Sequence, residues 1–337
     1  TEEDRLESAA PGLSAAERAA LLRRDADAWT PADVPLLDEA ADLLGSDTST
    51  AEARDEAERA AETAYAEGVL DILSRDIEDD DEVLMAFDLI DARRLAARQA
   101  DNDGLSVAER AAADRQWAYG HIIVDEAQEL SAMAWRALMR RCPSRSMTLV
   151  GDVAQTSDLA GTSSWDVVLA PYVEDRWRIE ELTVNYRTPA EFMDVAADVL
   201  AKIDPDLRVP RSVRSGGTPP RTLVVPVEQQ ASRLPRIVEE ITAGIGDGRL
   251  AVLVADGDFD RVRALLPDAA AGEDPDLSHR VVVLDVRQAK GLEFDAVIVV
   301  EPDRIVDSSA RGLNDLYVAL TRATQTLVTV LGSGSDA

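Results

Sequence analysis

The sequence is poor in cysteine, histidine and positive charge, and each shortage closes off a class of chemistry. Its 337 residues include one cysteine, Cys142. A lone thiol excludes an internal disulfide and a zinc cluster built on thiolates. The two histidines, His121 and His279, stand far apart in the chain, which argues against a histidine-rich metal site. Asp and Glu number 65 against 35 Lys and Arg, for a net charge of −30. Such a surface repels phosphate, so the chain is no general nucleic-acid coat, and any contact with DNA or RNA is expected in a local groove. No apolar run approaches the ~20 residues that span a bilayer. The start, Thr1-Glu2-Glu3-Asp4, has no basic-then-apolar signal order. No membrane partner is expected, and the expected compartment is the cytoplasm.

What remains is ordinary for a folded chain, 46% apolar and 30% charged, and long enough for two domains. Residues 1–118 hold 31 acidic and 12 basic side chains, net −19, whereas 119–337 carry net −11. The first stretch is rich in Ala, Glu, Asp and Arg and reads as helices. Ser14-Ala15-Ala16-Glu17 and Ser106-Val107-Ala108-Glu109 fit capping boxes, predicting helices to about Asp27 and Trp117. A third helix is expected over Ala51–Glu67, and Trp29–Pro35 is a turn leading into a short one. Beyond residue 119 short apolar runs recur: His121–Val124, Met147–Val150, Leu223–Val227, Leu250–Val254, Val281–Leu284, Ala296–Val300 and Thr326–Leu331. Helical stretches separate many of them, the pattern of parallel sheets covered on both faces. Arg211–Pro220, with its Gly, Ser and Pro, reads as a loop.

Chemistry concentrates at the ends of these strands. Ile122-Ile123-Val124 is followed by Asp125-Glu126-Ala127-Gln128. Two adjacent carboxylates at the C-terminal end of a strand lie where open α/β sheets bind ligands. One can hold Mg²⁺ while the other orients or deprotonates a water; a solvated acidic turn would look the same. Met147–Val150 leads to Gly151-Asp152-Val153-Ala154-Gln155, where the Gln155 amide can donate to a phosphate and accept from water. Then come Leu182-Thr183-Val184-Asn185-Tyr186-Arg187-Thr188-Pro189, Gln288-Ala289-Lys290-Gly291-Leu292-Glu293-Phe294-Asp295, and Leu316-Tyr317-Val318-Ala319-Leu320-Thr321-Arg322-Ala323. Taken singly, Arg187 and Arg322 fit ion-pair residues and Tyr186 fits a core residue.

In this order the five blocks resemble motifs II to VI of superfamily 1 helicases of the UvrD/Rep group, over roughly residues 119 to 331. The DEAQ ending, WTPADVPLLDEA and LYVALTRAT look most like the HelD branch, whose members bind bacterial RNA polymerase and help clear it from nucleic acid. The resemblance implies ATP and Mg²⁺ as cofactors. Asp125 would hold Mg²⁺ and Glu126 would activate the hydrolytic water. Gln155 would sense the γ-phosphate, and Arg187 and Arg322 would reach it from a second domain. On the nucleotide side, Tyr186 would stack on the base, Glu293 would contact the ribose or relay closure, Gly291 would belong to the cofactor-binding set, and Gln128 would couple the site to the rest of the motor.

The implied fold is α/β, with two RecA-like P-loop NTPase-type domains behind an acidic helical addition over residues 1–118. Residues 119–177 would be the remainder of the first domain and 178–337 the second, with ATP between them. The first domain is expected to be incomplete. Of the two lysines, Lys202 and Lys290, neither sits in G-x-x-x-x-G-K-[ST], the loop whose amides and Lys cradle phosphates. Together with the start at Thr1, this suggests a piece of a longer protein, holding half an ATP site and hydrolysing ATP poorly if at all. Only 103 residues separate Arg187 from Lys290, too few for the large extra domain of UvrD-type unwinding enzymes, so weak duplex unwinding is expected.

Glu78-Asp79-Asp80-Asp81-Glu82 is either a solvated loop or a mimic of nucleic acid entering a basic polymerase channel. A strand-tracking helicase needs a basic path, whereas a factor acting on RNA polymerase can be acidic. The net charge therefore favours RNA polymerase as partner over bare DNA or RNA.

Overall fold

The computed structural model describes residues 2–22, 25, 28–45, 106–114, 117–215 and 218–332. The chain divides into two compact units, residues 1–118 and 119–337. The helix expected over Ala51–Glu67 and the acidic run Glu78–Glu82 lie outside the described residues.

In the first unit the described helices are α1 (Glu2–Ala9), α2 (Ala15–Ala20), α3 (Val34–Leu44) and α4 (Val107–Ala113). Both capping boxes form. Glu17 N donates to Ser14 Oγ at 3.3 Å while Ser14 N donates to Glu17 Oε2 at 2.7 Å. Ser106 and Glu109 exchange the same bonds at 3.2 and 2.6 Å. Both helices stop earlier than the sequence suggests, at Ala20 and Ala113. The six residues of α2 bury no side chain, and a short helix without tertiary packing is marginal. Trp29–Pro35 behaves as expected: Thr30 and Asp33 cap a 3₁₀ turn at Pro31–Asp33 that runs into α3.

The second unit is mixed α/β. Its centre is a five-stranded, wholly parallel sheet of β5 (Arg221–Val224), β6 (Leu250–Val254), β7 (Val281–Asp285), β8 (Phe294–Val300) and β9 (Ala323–Leu331), in the order β5-β9-β8-β6-β7. The inner strands are apolar on both faces because helices cover both. Leu250, Val252 and Val254 face Leu234, Val238 and Ile241 of α8 (Val227–Gly244) and Val262 of α9 (Phe259–Leu265). Ala251 and Leu253 face the other way, with Phe192, Ala196 and Leu200 of α7 (Ala190–Ile203) and Tyr317, Val318 and Leu320 of α11 (Gly312–Thr321). Each Leu or Val so buried contributes about 1.5–3 kcal/mol. α10 (Pro302–Asp307) joins β8 to α11.

Two smaller parallel pairs complete the unit. β1 (Ile122–Val124) pairs with β2 (Met147–Leu149), Ile122 opposite Met147. α5 (Ala132–Arg141) and α6 (Trp165–Val173) pack on them through Trp135, Met139, Leu169 and Val173. β3 (Val184–Asn185) pairs with β4 (Arg211–Ser212), so the loop expected over Arg211–Pro220 opens with a short strand. The run Leu223–Val227 is likewise divided. Pro226, which has no N–H for a ladder, sits at the N-cap of α8, and Val227 is helical.

Candidate functional site

The site is built at the C-terminal ends of β1 and β2. Beyond β1 the backbone turns sharply, with Glu126 in the left-handed region at φ 49°, into a 3₁₀ turn at Ala127–Glu129. Asp125 is exposed and Glu126 half-buried, and Glu126 N donates to Asp125 Oδ1 at 2.9 Å. Gln128 is fully buried. Its Nε2 donates to Glu126 Oε2 at 2.6 Å, and its Oε1 accepts from Asp152 N at 3.1 Å. One amide thus ties the acidic turn of β1 to the loop after β2. Gly151 makes that closeness possible: a Cβ there would lie 2.3 Å from Gln128 Oε1 and 3.0 Å from the Trp165 ring. Asp152 then caps the 3₁₀ turn Val153–Gln155, accepting from Ala154 N at 2.9 Å and from Gln155 Nε2 at 2.8 Å.

The opposing groups come from the segment after β3, from the β7–β8 connection and from the end of α11. Arg322 is 7% exposed. Its Nη2 donates to Gln155 Oε1 at 2.8 Å, its Nε to Val318 O at 3.1 Å and its Nη1 to Leu292 O at 3.3 Å. Burial and the neighbouring Arg187 charge pull the Arg322 pKa down, while Glu126, Tyr317 and Asp152 support its charge. Burial and the Asp152 charge push the Tyr317 phenol up. Arg187 reaches Glu293 at 3.6 Å, with both side chains more than half exposed. Asn185 Oδ1 holds the Arg187 segment by accepting from the amides of Arg187 and Thr188 at 2.9 and 3.1 Å.

The structure therefore gathers Glu126, Gln128, Gln155 and Arg322 into one hydrogen-bonded and charged cluster, with Asp125 bonded to Glu126, and Arg187 paired with Glu293 beside it. Tyr186 is 72% exposed. Gly291 takes φ 70° with open space around its Cα, so it serves the sharp turn before Glu293.

Several residues in this region escaped the sequence reading. Glu129, half-buried, pairs with Lys290 and accepts from Ser157 N at 3.0 Å and Asp158 N at 2.9 Å. Burial pushes its carboxyl up, but the Lys290 hydrogen bond, the two amides and the ammonium charge outweigh this and leave its pKa lowered. Asp315, 4% exposed, moves the opposite way. Burial raises it, and the Ser157 hydroxyl and the Arg287 and Lys290 charges offset only part of the effect. Asn314 Nδ2 donates to Ala154 O at 2.9 Å and Arg311 Nη2 to Gly161 O at 3.2 Å. Lys290 had two sequence signals, the scarcity of lysine and its place in the Gln288–Asp295 block; Asn314 and Arg311 had none.

Separately, a cavity of about 250 Å³ opens at the C-terminal ends of β6 and β7, lined by Asp256, Asp285, Arg287, Ser308 and Asp315 among others. None of the sequence-selected site residues lines it. Among the described residues, no three His, Cys, Asp or Glu side chains are placed to hold a metal, and no helix is long and apolar enough to cross a membrane.

Residues 280–330, which include β7, the Gln288–Asp295 block, α11 and Arg322, match the family of UvrD-like helicase C-terminal domains. No curated protein matches. Among solved structures, the C-terminal domain of a possible DNA helicase from Lactobacillus plantarum WCFS1 is similar at 21% identity and TM-score 0.34, over 44% of this chain and 88% of that one. The PRRSV helicase is similar at 19% identity and TM-score 0.34, over 62% of this chain and 34% of that one. Arterivirus nonstructural protein 10, a helicase, gives 17% identity and TM-score 0.34, over 65% and 41%. The chain thus spans about a third and two fifths of the two viral proteins.

Proposed function

We propose that this chain is part of an ATP-driven superfamily 1 motor of the HelD type, which remodels bacterial RNA polymerase by displacing nucleic acid. In this reading residues 119–177 and 178–337 are parts of two RecA-like domains. The observation that carries it is the Arg322–Gln155 contact at 2.8 Å, with Glu126 and Arg187 close enough to bias the Arg322 charge in opposite directions. Acids and a Gln from one set of strand ends face guanidiniums from another, which is the arrangement phosphoryl transfer needs. The family match over residues 280–330 covers the side that supplies Glu293 and Arg322.

The residues present fit Mg²⁺ and ATP as one part of a site. Mg²⁺ prefers hard oxygen ligands and keeps several waters, so an exposed carboxylate such as Asp125, without a three-ligand cage, suits it. Bound there with ATP, the ion would neutralise phosphate charge. Glu126, held by Gln128, is placed to accept a proton from water. Arg322 offers donors to a phosphate oxygen once its bond to Gln155 Oε1 is broken, and Gln155 offers Nε2 once it leaves Asp152 Oδ2. Arg187, tethered by Asn185, brings a second positive charge.

The acidity of the chain, net −30, favours the polymerase over a bare strand as partner. The UvrD-like match favours the second reading, a helicase or translocase acting on single-stranded DNA directly. Steady-state MgATP hydrolysis by the full-length protein tests the motor. Arg322→Ala is expected to lower kcat by about 10³-fold or more, and undiminished turnover would refute the reading. Binding of the full-length protein to RNA polymerase and to single-stranded DNA, each over a salt series, separates the two partners. Tight polymerase binding with weak, steeply salt-dependent DNA binding is the expected result.

A further inference from the structure

The turn at Ala127–Glu129 carries Gln128 and follows Glu126, and the Lys290–Glu293 segment carries Glu293, the partner of Arg187. Between these two turns stands the Lys290–Glu129 ion pair, with 16% and 24% of the side chains exposed. A half-buried ammonium without a partner would be costly, so the pair resists separation. Glu129 does more than neutralise it. The same carboxylate accepts the amides of Ser157 and Asp158, which lie two and three residues beyond Gln155. One carboxylate thereby ties Lys290 to the 151–162 loop through two backbone bonds. Asn314 and Arg311 hold the same loop at Ala154 and Gly161, but through neutral carbonyls.

We propose that Lys290 is a positioning residue: its ion pair with Glu129 fixes the 127–129 turn and the 151–162 loop against the β7–β8 connection, setting Gln155 and Glu126 in register with Arg322 and Arg187. The contact itself stands on geometry alone, and its consequence for turnover rests on the ATP-driven reading above. Exchanging the two charges should not restore the arrangement, because a lysine at 129 cannot accept the amides of Ser157 and Asp158.

Two measurements test the assignment. In the 337-residue chain with Cys142→Ser, spin labels on cysteines placed at the exposed positions Val167 and Lys202 report the distance between α6 and α7. Lys290→Met, which keeps the stem and removes the charge, is expected to broaden that distribution. Lys290→Arg is expected to keep it narrow. In the full-length protein, Lys290→Met should lower kcat by on the order of 10- to 100-fold, the scale of a small misplacement of reacting groups. KM should change little, and Lys290→Arg should recover most of the loss. An unchanged distance distribution in Lys290→Met, or a broadened one with unaltered kcat, overturns the proposal. If the unmodified full-length protein hydrolyses no nucleotide, the ATP-driven reading falls, and the label distances alone decide for or against Lys290.

Discussion

The five-stranded sheet and the β1–β2 pair are both parallel, and both carry site residues at the C-terminal ends of their strands or just before their N-terminal ends. They are held in opposite ways. All five residues of β6 have no measurable exposure, and β8 lies against it from Ala296 to Val299. In β1, Ile123 is 72% exposed and its two neighbours are half-buried. The sheet is fixed by packing on two faces, so Arg322 and Glu293 inherit rigid positions. The β1–β2 pair is packed on one face by α5 and α6, and a two-stranded parallel pair supplies little stability of its own. Placement of Glu126 and Gln155 therefore leans on polar contacts: Gln128 with Glu126 and Asp152, Glu129 with Lys290, Asn314 with Ala154, and Arg322 with Gln155.

If that division is right, truncation should be severe in the sheet. Leu253 is buried between α7 and α11. Leu253→Ala should cost about 2–5 kcal/mol, read as a lower denaturation midpoint at unchanged slope. A loss below 1 kcal/mol would mean that this layer collapses around the cavity, and the contrast with β1–β2 would weaken.

Glu129 and Asp315 sharpen the comparison, because Ser157 touches both and their carboxyls shift in opposite senses. Glu129 has a lowered folded pKa. It adds stability that is present above its ordinary value of 4.5 and is lost as pH falls below it. Asp315 has a raised folded pKa. As pH rises from its ordinary 3.8 toward the folded value, the unfolded chain releases the proton first and stability drops. Asp315→Asn cannot titrate. It should match the parent protein well below pH 3.8 and become progressively more stable than it toward neutrality. Denaturant titrations at stepped pH check this, and a difference that does not vary with pH would show that Asp315 sits in a wetter place than its burial indicates.

The same contrast explains what could be read from sequence. The inner strands announce themselves, because Leu250–Val254 and Ala296–Val300 are unbroken apolar runs with few other places to go. Strand ends were less legible. β9 begins at Ala323, ahead of the apolar run, because Ala323 pairs with Phe294 and a bulge takes up Thr324 and Gln325 before the register resumes at Thr326. The run around Pro226 looked continuous because hydropathy ignores the missing N–H. β4 depends on pairing Arg211 with Val184, a match no local pattern encodes. Asp125 and Glu126 stood out as paired carboxylates at the end of an apolar run, whereas Gln155 and Arg322 took their roles from the resemblance of their blocks to helicase motifs. Glu129 and Lys290, 161 residues apart, become partners only when the fold brings their turns together.

The smallest expected effect probes the weak side of the comparison directly. Ile123 is β-branched and apolar and sits mid-strand, so a sequence-level estimate would rank it with the core. Its exposure says that little area leaves water there on folding, and a substitution at such a surface position usually stays within about 0.5 kcal/mol. Ile123→Ala should therefore shift the denaturation midpoint barely at all, set against the large shift for Leu253→Ala. Denaturant titration of both variants side by side checks the contrast. A cost of about 2 kcal/mol or more for Ile123→Ala would mean that this face of β1 is covered in solution. The two strands that carry the acids would then be as firmly packed as the sheet that carries Arg322.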